Sequence, residues 1–156
     1  MKEDNTRYRD AVPADATRIV DFQIAMAQET EDFALDRLTC SFGVAAVFKD
    51  ATLGRYFVAE SDANVIASLM ITFEWSDWRN GMVWWIQSVY VTPEFRRRGI
   101  YAGLYNHVKS MVESDENVRG LRLYVDKRNK PAQEVYRRMG MNGEHYQVFE
   151  WMKSEG

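Results

Sequence analysis

The sequence predicts an α/β domain in which helices pack on a mixed, largely antiparallel sheet, and three observations predict it. The middle of the chain carries strand-like runs at residues 56–59, 65–73 and 82–91, separated by the turn compositions Ser61-Asp62-Ala63-Asn64 and Asn80-Gly81. The period then changes from two to helical spacing, with Ile100, Leu104, His107, Val108, Met111 and Val112 on one face. A further strand-like run follows at residues 121–125, so a strand–helix–strand crossover makes two strands parallel within an otherwise antiparallel series.

The remaining elements follow in order. Residues 8–10 form a short strand. Pro13 and Asp15 suit a first helical turn, and Ile19, Phe22 and Met26 recur at helical spacing, which predicts a helix to about residue 28. The acidic stretch Glu29, Glu31, Asp32 precedes a second helix from about Asp36 to near Phe48. Gly120 stops the connection before the run at 121–125. A helix starts around residues 129–131, where Pro131 fits a first turn, and ends at Gly140. Residues 146–152 are expected to form the last strand. No repeat, low-complexity tract or Pro/Ser-rich linker interrupts the chain, so residues 1–156 read as one domain.

Composition limits the functions open to this domain. At 156 residues it is long enough to bury a substantial core, and 46% hydrophobic with 28% charged residues is globular. The 13% aromatic content, with five tryptophans, is rich enough that some aromatics are expected to line a site or an interface. A net charge of −3 argues against nucleic acid as a partner, because counterion release needs clustered excess cations. Cys40 is the single cysteine and His107 and His145 the only histidines, so neither a disulfide within the chain nor a zinc-type metal site is expected. The polar segment MKEDNTRYRD does not resemble a signal peptide, and no apolar run reaches membrane-spanning length. The expectation is a cytoplasmic protein without a membrane partner.

The chemistry-bearing segment is Phe95-Arg96-Arg97-Arg98-Gly99-Ile100, between a strand and a helix. The first N–H groups of a helix lack intrahelical partners and carry the positive end of its dipole, so this junction attracts anions. Three arginines add charge, and Gly99 lets the backbone adopt unusual dihedrals and approach a phosphate. A pyrophosphate fits best. Three cations at a solvated helix start would oppose the dipole without compensation, which disfavours the alternative of a merely charged surface. Neither Gly-x-x-x-x-Gly-Lys-[Ser/Thr] nor Gly-x-Gly-x-x-Gly after the first strand is present, so nucleotide hydrolysis and hydride transfer lose support.

The stretch Val89-Tyr90-Val91-Thr92-Pro93-Glu94-Phe95-Arg96-Arg97-Arg98-Gly99-Ile100 resembles the acetyl-CoA-binding motif of the GNAT N-acetyltransferase superfamily. That motif, Gln/Arg-x-x-Gly-x-Gly/Ala, maps to Arg96, Gly99 and position 101, where Tyr101 departs from it. The resemblance implies a GNAT-like mixed, largely antiparallel sheet with helices on both faces, and acetyl-CoA as cofactor. It further implies that the amides from Arg97 through Ala102, including those of Arg98, Ile100 and Tyr101, hold the pyrophosphate. Backbone groups of Val89 and Val91, flanking Tyr90, would pair with the pantetheine arm like an added strand. A second stretch, Asn129-Lys130-Pro131-Ala132-Gln133-Glu134-Val135-Tyr136-Arg137-Arg138-Met139-Gly140, is similar to the family's Asn-x-x-Ala-x-x-x-Tyr-x-x-x-Gly. By the resemblance Asn129 contacts the cofactor and Tyr136 protonates the departing thiolate. A helical Tyr with its hydroxyl at the core edge is the structural alternative.

For the acceptor, the layout resembles the spermidine/spermine acetyltransferase branch, in which a glutamate stands where this chain has Gln87. Gln87 orients an amine or water by hydrogen bonding but is not a base. Glu74 is the candidate base, against the alternative of an exposed strand-end carboxylate. Glu29, Glu31 and Asp32 are candidates to attract a cationic amine, and acidic surface turns also occur without a ligand. Trp75, Trp78, Trp84 and Trp85 are candidates for an apolar or cation-binding wall, Trp78 being the one assigned to the acceptor; Trp84 and Trp85 must face opposite ways. His107 and Cys40 read as packed residues. The expectation is an N-acetyltransferase moving acetyl from acetyl-CoA to a small primary amine or polyamine in one ternary complex, acting as a homodimer. Alternatives are a peptide or protein amine as acceptor, and a non-catalytic acyl-CoA sensor.

Overall fold

The computed structural model describes residues 5–154. Those residues form β1 (Thr6–Asp10), α1 (Ala16–Glu31), α2 (Arg37–Lys49), β2 (Arg55–Ser61), β3 (Asn64–Ser76), β4 (Gly81–Val91), α3 (Ile100–Ser114), β5 (Val118–Arg122) and α4 (Lys130–Arg138), with 3-10 turns at Pro13–Asp15 and Pro93–Phe95. The chain divides into two compact units, Met1–Arg122 and Leu123–Gly156.

In the first unit the sheet runs β1-β2-β3-β4-β5. Every pair is antiparallel except β4 with β5, which are parallel because α3 carries the chain back across the sheet. The mixed, largely antiparallel sheet predicted from the turn spacing is therefore observed. The β2–β3 hairpin closes Ser61 against Asn64 through Asp62 and Ala63, both left-handed at φ 48° and 64°. Two left-handed residues match the right-handed twist of the flanking strands, the conformation of a two-residue primed turn.

Alternation along β2 shows helices on both faces. Tyr56 and Val58 share a buried cluster with Ile19, Val20 and Val44 of α1 and α2, whereas Phe57 meets His107 of α3 edge-on at 5.8 Å. Successive strand residues point to opposite faces, so α1 and α2 lie on one and α3 on the other. On the α3 side Ile100, Leu104 and Val108 are fully buried at the predicted helical spacing. Gly103 lets α3 close on β1: a Cβ there would stand 2.0 Å from the Tyr8 hydroxyl.

Capping explains the helix starts. Asp36 accepts from the Thr39 N–H at 3.0 Å at the N-terminus of α2. Before α1, Asp15 accepts from the Val12 N–H at 2.8 Å and from both Arg9 terminal nitrogens at 2.8 and 3.2 Å. In the second unit Asn129 accepts from the Ala132 N–H at 3.1 Å and Pro131 occupies the first turn of α4. Gly140 at φ 87° ends α4 with Gly140 N–H to Arg137 and Met141 N–H to Tyr136, the paired bonds of a Schellman cap.

Three expectations are corrected. Helix α1 runs to Glu31 instead of about residue 28, ending where Asp32 turns left-handed at φ 49° and its N–H closes on the Ala27 carbonyl. The strand expected at 121–125 is Val118–Arg122, with Gly120 paired to Val83 instead of ending a connection; pairing, not residue type, sets its register. Residues 146–152 form no strand: a strand exists only through a ladder partner, and Phe149 and Trp151 are 89% and 86% exposed there. No described helix is long and apolar enough to cross a membrane, and no group of three or more His, Cys, Asp or Glu that could hold a metal occurs among the described residues.

Candidate active site

The junction between β4 and α3 is built from backbone turned outward. After the turn at Pro93–Phe95, Arg97 and Gly99 are left-handed at φ 64° and 76°. The N–H of Gly103 donates to the Gly99 carbonyl at 3.0 Å, so the amides of Ile100, Tyr101 and Ala102 precede the helical ladder. Ile100 is 2% exposed and anchors the first turn on the core, leaving those amides at the surface end of a rigid helix. A Cβ at Gly99 would meet nothing within 4 Å. Arg97 and Arg98 are exposed and neither makes a side-chain hydrogen bond or ion pair among the described residues, although Arg98 lies 5.2 Å over the Phe95 ring. Amides that precede the helical ladder, the positive helix end, the guanidinium groups of Arg97 and Arg98 and open space at Gly99 fit a pyrophosphate.

The strand leading into this cradle is open along one edge. Its ladder with β5 runs from Met82↔Val118 to Trp85↔Arg122, so from Ile86 onward β4 is paired to β3 alone within this unit. Between the pairs Met70↔Gln87 and Ser68↔Tyr90, β4 holds one extra residue, and Ser88 is left-handed at φ 54°. This bulge resets the alternation just before residues 89–91. The Thr92 N–H donates to Ile66 at 2.9 Å, so one residue earlier the backbone groups of Val91 point away from β3, to the open edge. An extended chain with amide groups can pair there.

On the α1 side of the same strand end lies a cavity of about 330 Å³, lined by Met26, Glu29 and Thr30 of α1, Val89, Tyr90 and Val91 of β4, and Arg96. Tyr90 is buried against Phe22, ring centroids 5.1 Å apart, and its hydroxyl donates to Glu29 Oε1 at 3.0 Å. Arg96 Nη2 donates to Glu29 Oε2 at 2.7 Å, and Arg96 Nε to the Val91 carbonyl at 2.9 Å. The Arg96 guanidinium and then the Tyr90 hydroxyl hold the Glu29 carboxyl below its ordinary value against the opposing effect of burial, so Glu29 stays ionised. Burial first, and the Glu29 carboxylate second, push the Tyr90 phenol up, so it stays a donor.

The other candidates are placed separately. Glu31 and Asp32 are exposed at the end of α1; Asp32 is left-handed at φ 49° and accepts from Gln28. Gln87 Nε2 donates to the Thr72 hydroxyl at 2.5 Å, which turns its amide to β3. Glu74 pairs with Arg122 Nη1 at 2.5 Å across the intervening β4. Trp78 is 92% exposed beyond the end of β3, while Trp84 is buried edge-on against Phe73 and Trp85 faces the other way. His107 is packed, as the sequence indicates, and burial raises the Cys40 thiol, which disfavours a nucleophile. In the second unit Asn129 caps α4 and Tyr136 lies half-buried on that helix.

Two features carry no local signal in the sequence. The bulge falls on Ser88 without a glycine, and the bond between Arg96 and Glu29 spans 67 residues.

Comparison with known proteins adds to this geometry. The model of the "Acetyltransferase (GNAT) family" matches residues 19–141. A solved structure described as "a possible acetyltransferase" from Clostridium difficile 630 is 40% identical, with a TM-score of 0.90 over 96% of this chain and 99% of that one. A "predicted acetyltransferase with acetyl-CoA" from Clostridium acetobutylicum shares the fold at 19% identity and TM-score 0.72, over 93% and 96% of the two chains. An aminoglycoside acetyltransferase from an uncultured soil metagenomic sample, solved with sisomicin, shares it at 14% identity and TM-score 0.74, over 96% and 97%. A search of curated proteins finds no match. The cradle, the open strand edge and the family match agree: the chain belongs to the GNAT family of acetyltransferases and is an acetyl-CoA-dependent N-acetyltransferase.

Proposed function

We propose that this enzyme transfers the acetyl group directly to a small primary amine or polyamine within a ternary complex. The observation that carries the cofactor end is the continuous path from the open edge of residues 89–91 to the unladdered amides of Ile100, Tyr101 and Ala102. Along it the amides from Arg97 to Ala102, with Arg97 and Arg98 beside them, hold the pyrophosphate, and Val89 and Val91 pair with the pantetheine amides. Acetyl-CoA supplies an activated thioester when bound. Tyr101 in place of a small residue is compatible with these roles because they use main-chain groups.

The Asn129 and Tyr136 positions of the second motif support a cofactor contact and a general acid for the thiolate, respectively. Direct transfer also needs a neutral amine. Glu74 serves as its base in this proposal only by leaving Arg122, and Gln87 orients the amine by leaving or sharing Thr72. Glu31 and Asp32, exposed near the Glu29 end of α1, attract the cation, and Trp78 offers it an aromatic face. The layout of residues 73–91 supports the spermidine/spermine branch as the first acceptor class to test. The setting is cytoplasmic in this proposal, and the active form a homodimer, which the exposed Phe33, Leu38, Phe42 and Trp75 support.

The test is a panel of polyamines, monoamines, aminoglycosides and peptide amines, followed by free-thiol release. Fastest turnover with di- or polyamines is expected; turnover confined to peptides would replace the acceptor class and leave the cofactor site intact. In the same assay Tyr136→Phe is expected to lose about a hundredfold in kcat with little change in the acetyl-CoA KM. Full activity of that variant across pH would remove Tyr136 as the acid.

A further inference from the structure

The three adjacent arginines of the cradle are not equivalent. Arg97 and Arg98 project from the loop without hydrogen-bonding or ionic partners among the described residues, whereas Arg96, though 44% exposed in its side chain, makes three contacts. Its Nε holds the Val91 carbonyl at 2.9 Å, Nη2 holds Glu29 at 2.7 Å, and its guanidinium carbon stands 5.3 Å from the Tyr90 ring centroid. Tyr90 closes the figure by donating to the second Glu29 oxygen at 3.0 Å. One carboxylate oxygen, one strand-end carbonyl and one ring thus hold the Arg96 side chain immediately before the left-handed residues Arg97 and Gly99, while the second carboxylate oxygen ties Glu29 to Tyr90.

We infer that Arg96 is a positioning residue: with Glu29 and Tyr90 it clamps the last turns of α1 to the end of β4 and thereby fixes the loop that presents its amides to phosphate, without itself contacting phosphate. The inference rests on the acetyl-CoA reading of this site. A side-on, bidentate grip on phosphate through Nε and Nη2 would have to displace the Val91 carbonyl and the Glu29 carboxylate that those two nitrogens now hold. The clamp also assigns the Val91 carbonyl, on the open edge, to Arg96. Pantetheine is then left the Val91 N–H and the groups of Val89.

The two roles predict opposite signs for one substitution. Glu29→Gln removes a negative charge close to a site for a polyanion. If Arg96 were a phosphate ligand held back by Glu29, the substitution would free it and tighten acetyl-CoA binding. As a clamp, the loop loses its anchor and binding weakens, by about three- to tenfold for a lost charge-assisted bond at a partly exposed site. Isothermal titration of acetyl-CoA against the full chain reads the sign directly. Glu29 is 40% exposed in its side chain, so the isosteric amide is tolerated. Tyr90→Phe, which deletes one donor to the same carboxylate, weakens binding less but in the same direction. Arg96→Gln placed on Glu29→Gln adds little, because the clamp is already broken, whereas Arg97→Gln adds its full effect because it shares no contact with Glu29. Variants that lower the melting temperature while leaving acetyl-CoA affinity at the native value, or Glu29→Gln that binds as tightly as the native chain or more so, would overturn the clamp. Failure of the native chain to bind acetyl-CoA would instead overturn the cofactor reading.

Discussion

Replacing Gly99 by alanine isolates the backbone contribution of the cradle. The position is left-handed at φ 76°, and a Cβ there meets no atom within 4 Å, so the methyl group introduces no clash. What remains is conformational: an L-residue in this region costs about 1–2 kcal/mol, and part of that is offset because alanine also has less freedom than glycine in the unfolded chain. A net loss of about 1 kcal/mol lowers the melting temperature of a chain this long by about 3 °C. If the loop relieves the strain by leaving the geometry that presents its amides, the binding-competent fraction falls by the same free energy, which is about a fivefold weaker apparent affinity. Scanning calorimetry and titration with acetyl-CoA measure the two effects on one sample. Gly99→Asn is the control, since asparagine tolerates left-handed backbone, and it should recover most of both losses. Alanine and asparagine variants that both behave as the native protein would refute the argument that the left-handed turn shapes the site.

Reversing the two uncommitted charges, Arg97→Glu with Arg98→Glu, is expected to weaken acetyl-CoA binding at least about tenfold, more at low salt than at high, as titration at two ionic strengths would show. Gly103→Ala should destabilise by about 1–3 kcal/mol through overpacking on Tyr8, read as a lower denaturation midpoint, because the added carbon would stand 2.0 Å from the Tyr8 hydroxyl. Asp15 gives a pH dependence: burial pushes its carboxyl up, but the Arg9 fork and the Val12 N–H outweigh that and hold it below the ordinary 3.8. A depressed folded-state value means the contribution is present above about 3.8 and is lost as pH falls through the lower folded value, so Asp15→Asn should flatten the acid limb of stability against pH.

What the sequence made legible is what local physics determines. Asn80-Gly81 and the turn at 61–64 marked the hairpins because few residues accept those dihedrals, and the spacing of Ile100, Leu104 and Val108 marked the buried face of α3. Gly99 and Gly140 were legible for the same reason, both being left-handed. Features that depend on a distant partner were not. Nothing within the run Arg96-Arg97-Arg98 distinguishes the first from the others, since the difference lies in a glutamate 67 residues away. Gly103 reads as a weak helix position until Tyr8 is brought against it. Residues 146–152 have the composition of a strand and no ladder, and Ala63 and Ser88 adopt left-handed backbone that their side chains disfavour. In each case the residue type permits several outcomes and tertiary pairing selects one.

The distribution of charge around β4 bears on how one small domain serves two substrates of opposite sign. Acetyl-CoA is a polyanion, and on the proposed reaction its partner is a cationic amine, so a shared field strong enough to gather one would repel the other. Arg96 and Glu29 neutralise each other at 2.7 Å between Arg97 and Arg98 on the loop and Glu31 and Asp32 at the end of α1. A neutral pair at that boundary leaves the loop net positive and the helix end net negative, and solvent screens the two exposed sets from one another over about a Debye length of 8–10 Å. Glu29→Gln would then do more than loosen the loop: the unpaired Arg96 cation would stand nearest the amine, so the acceptor KM should rise along with the acetyl-CoA Kd. Arg96→Gln, which leaves Glu29 free instead, should weaken acetyl-CoA while leaving the acceptor KM unchanged or lower. A split of that sign between the two variants requires the pair to separate the two fields as well as to hold the fold.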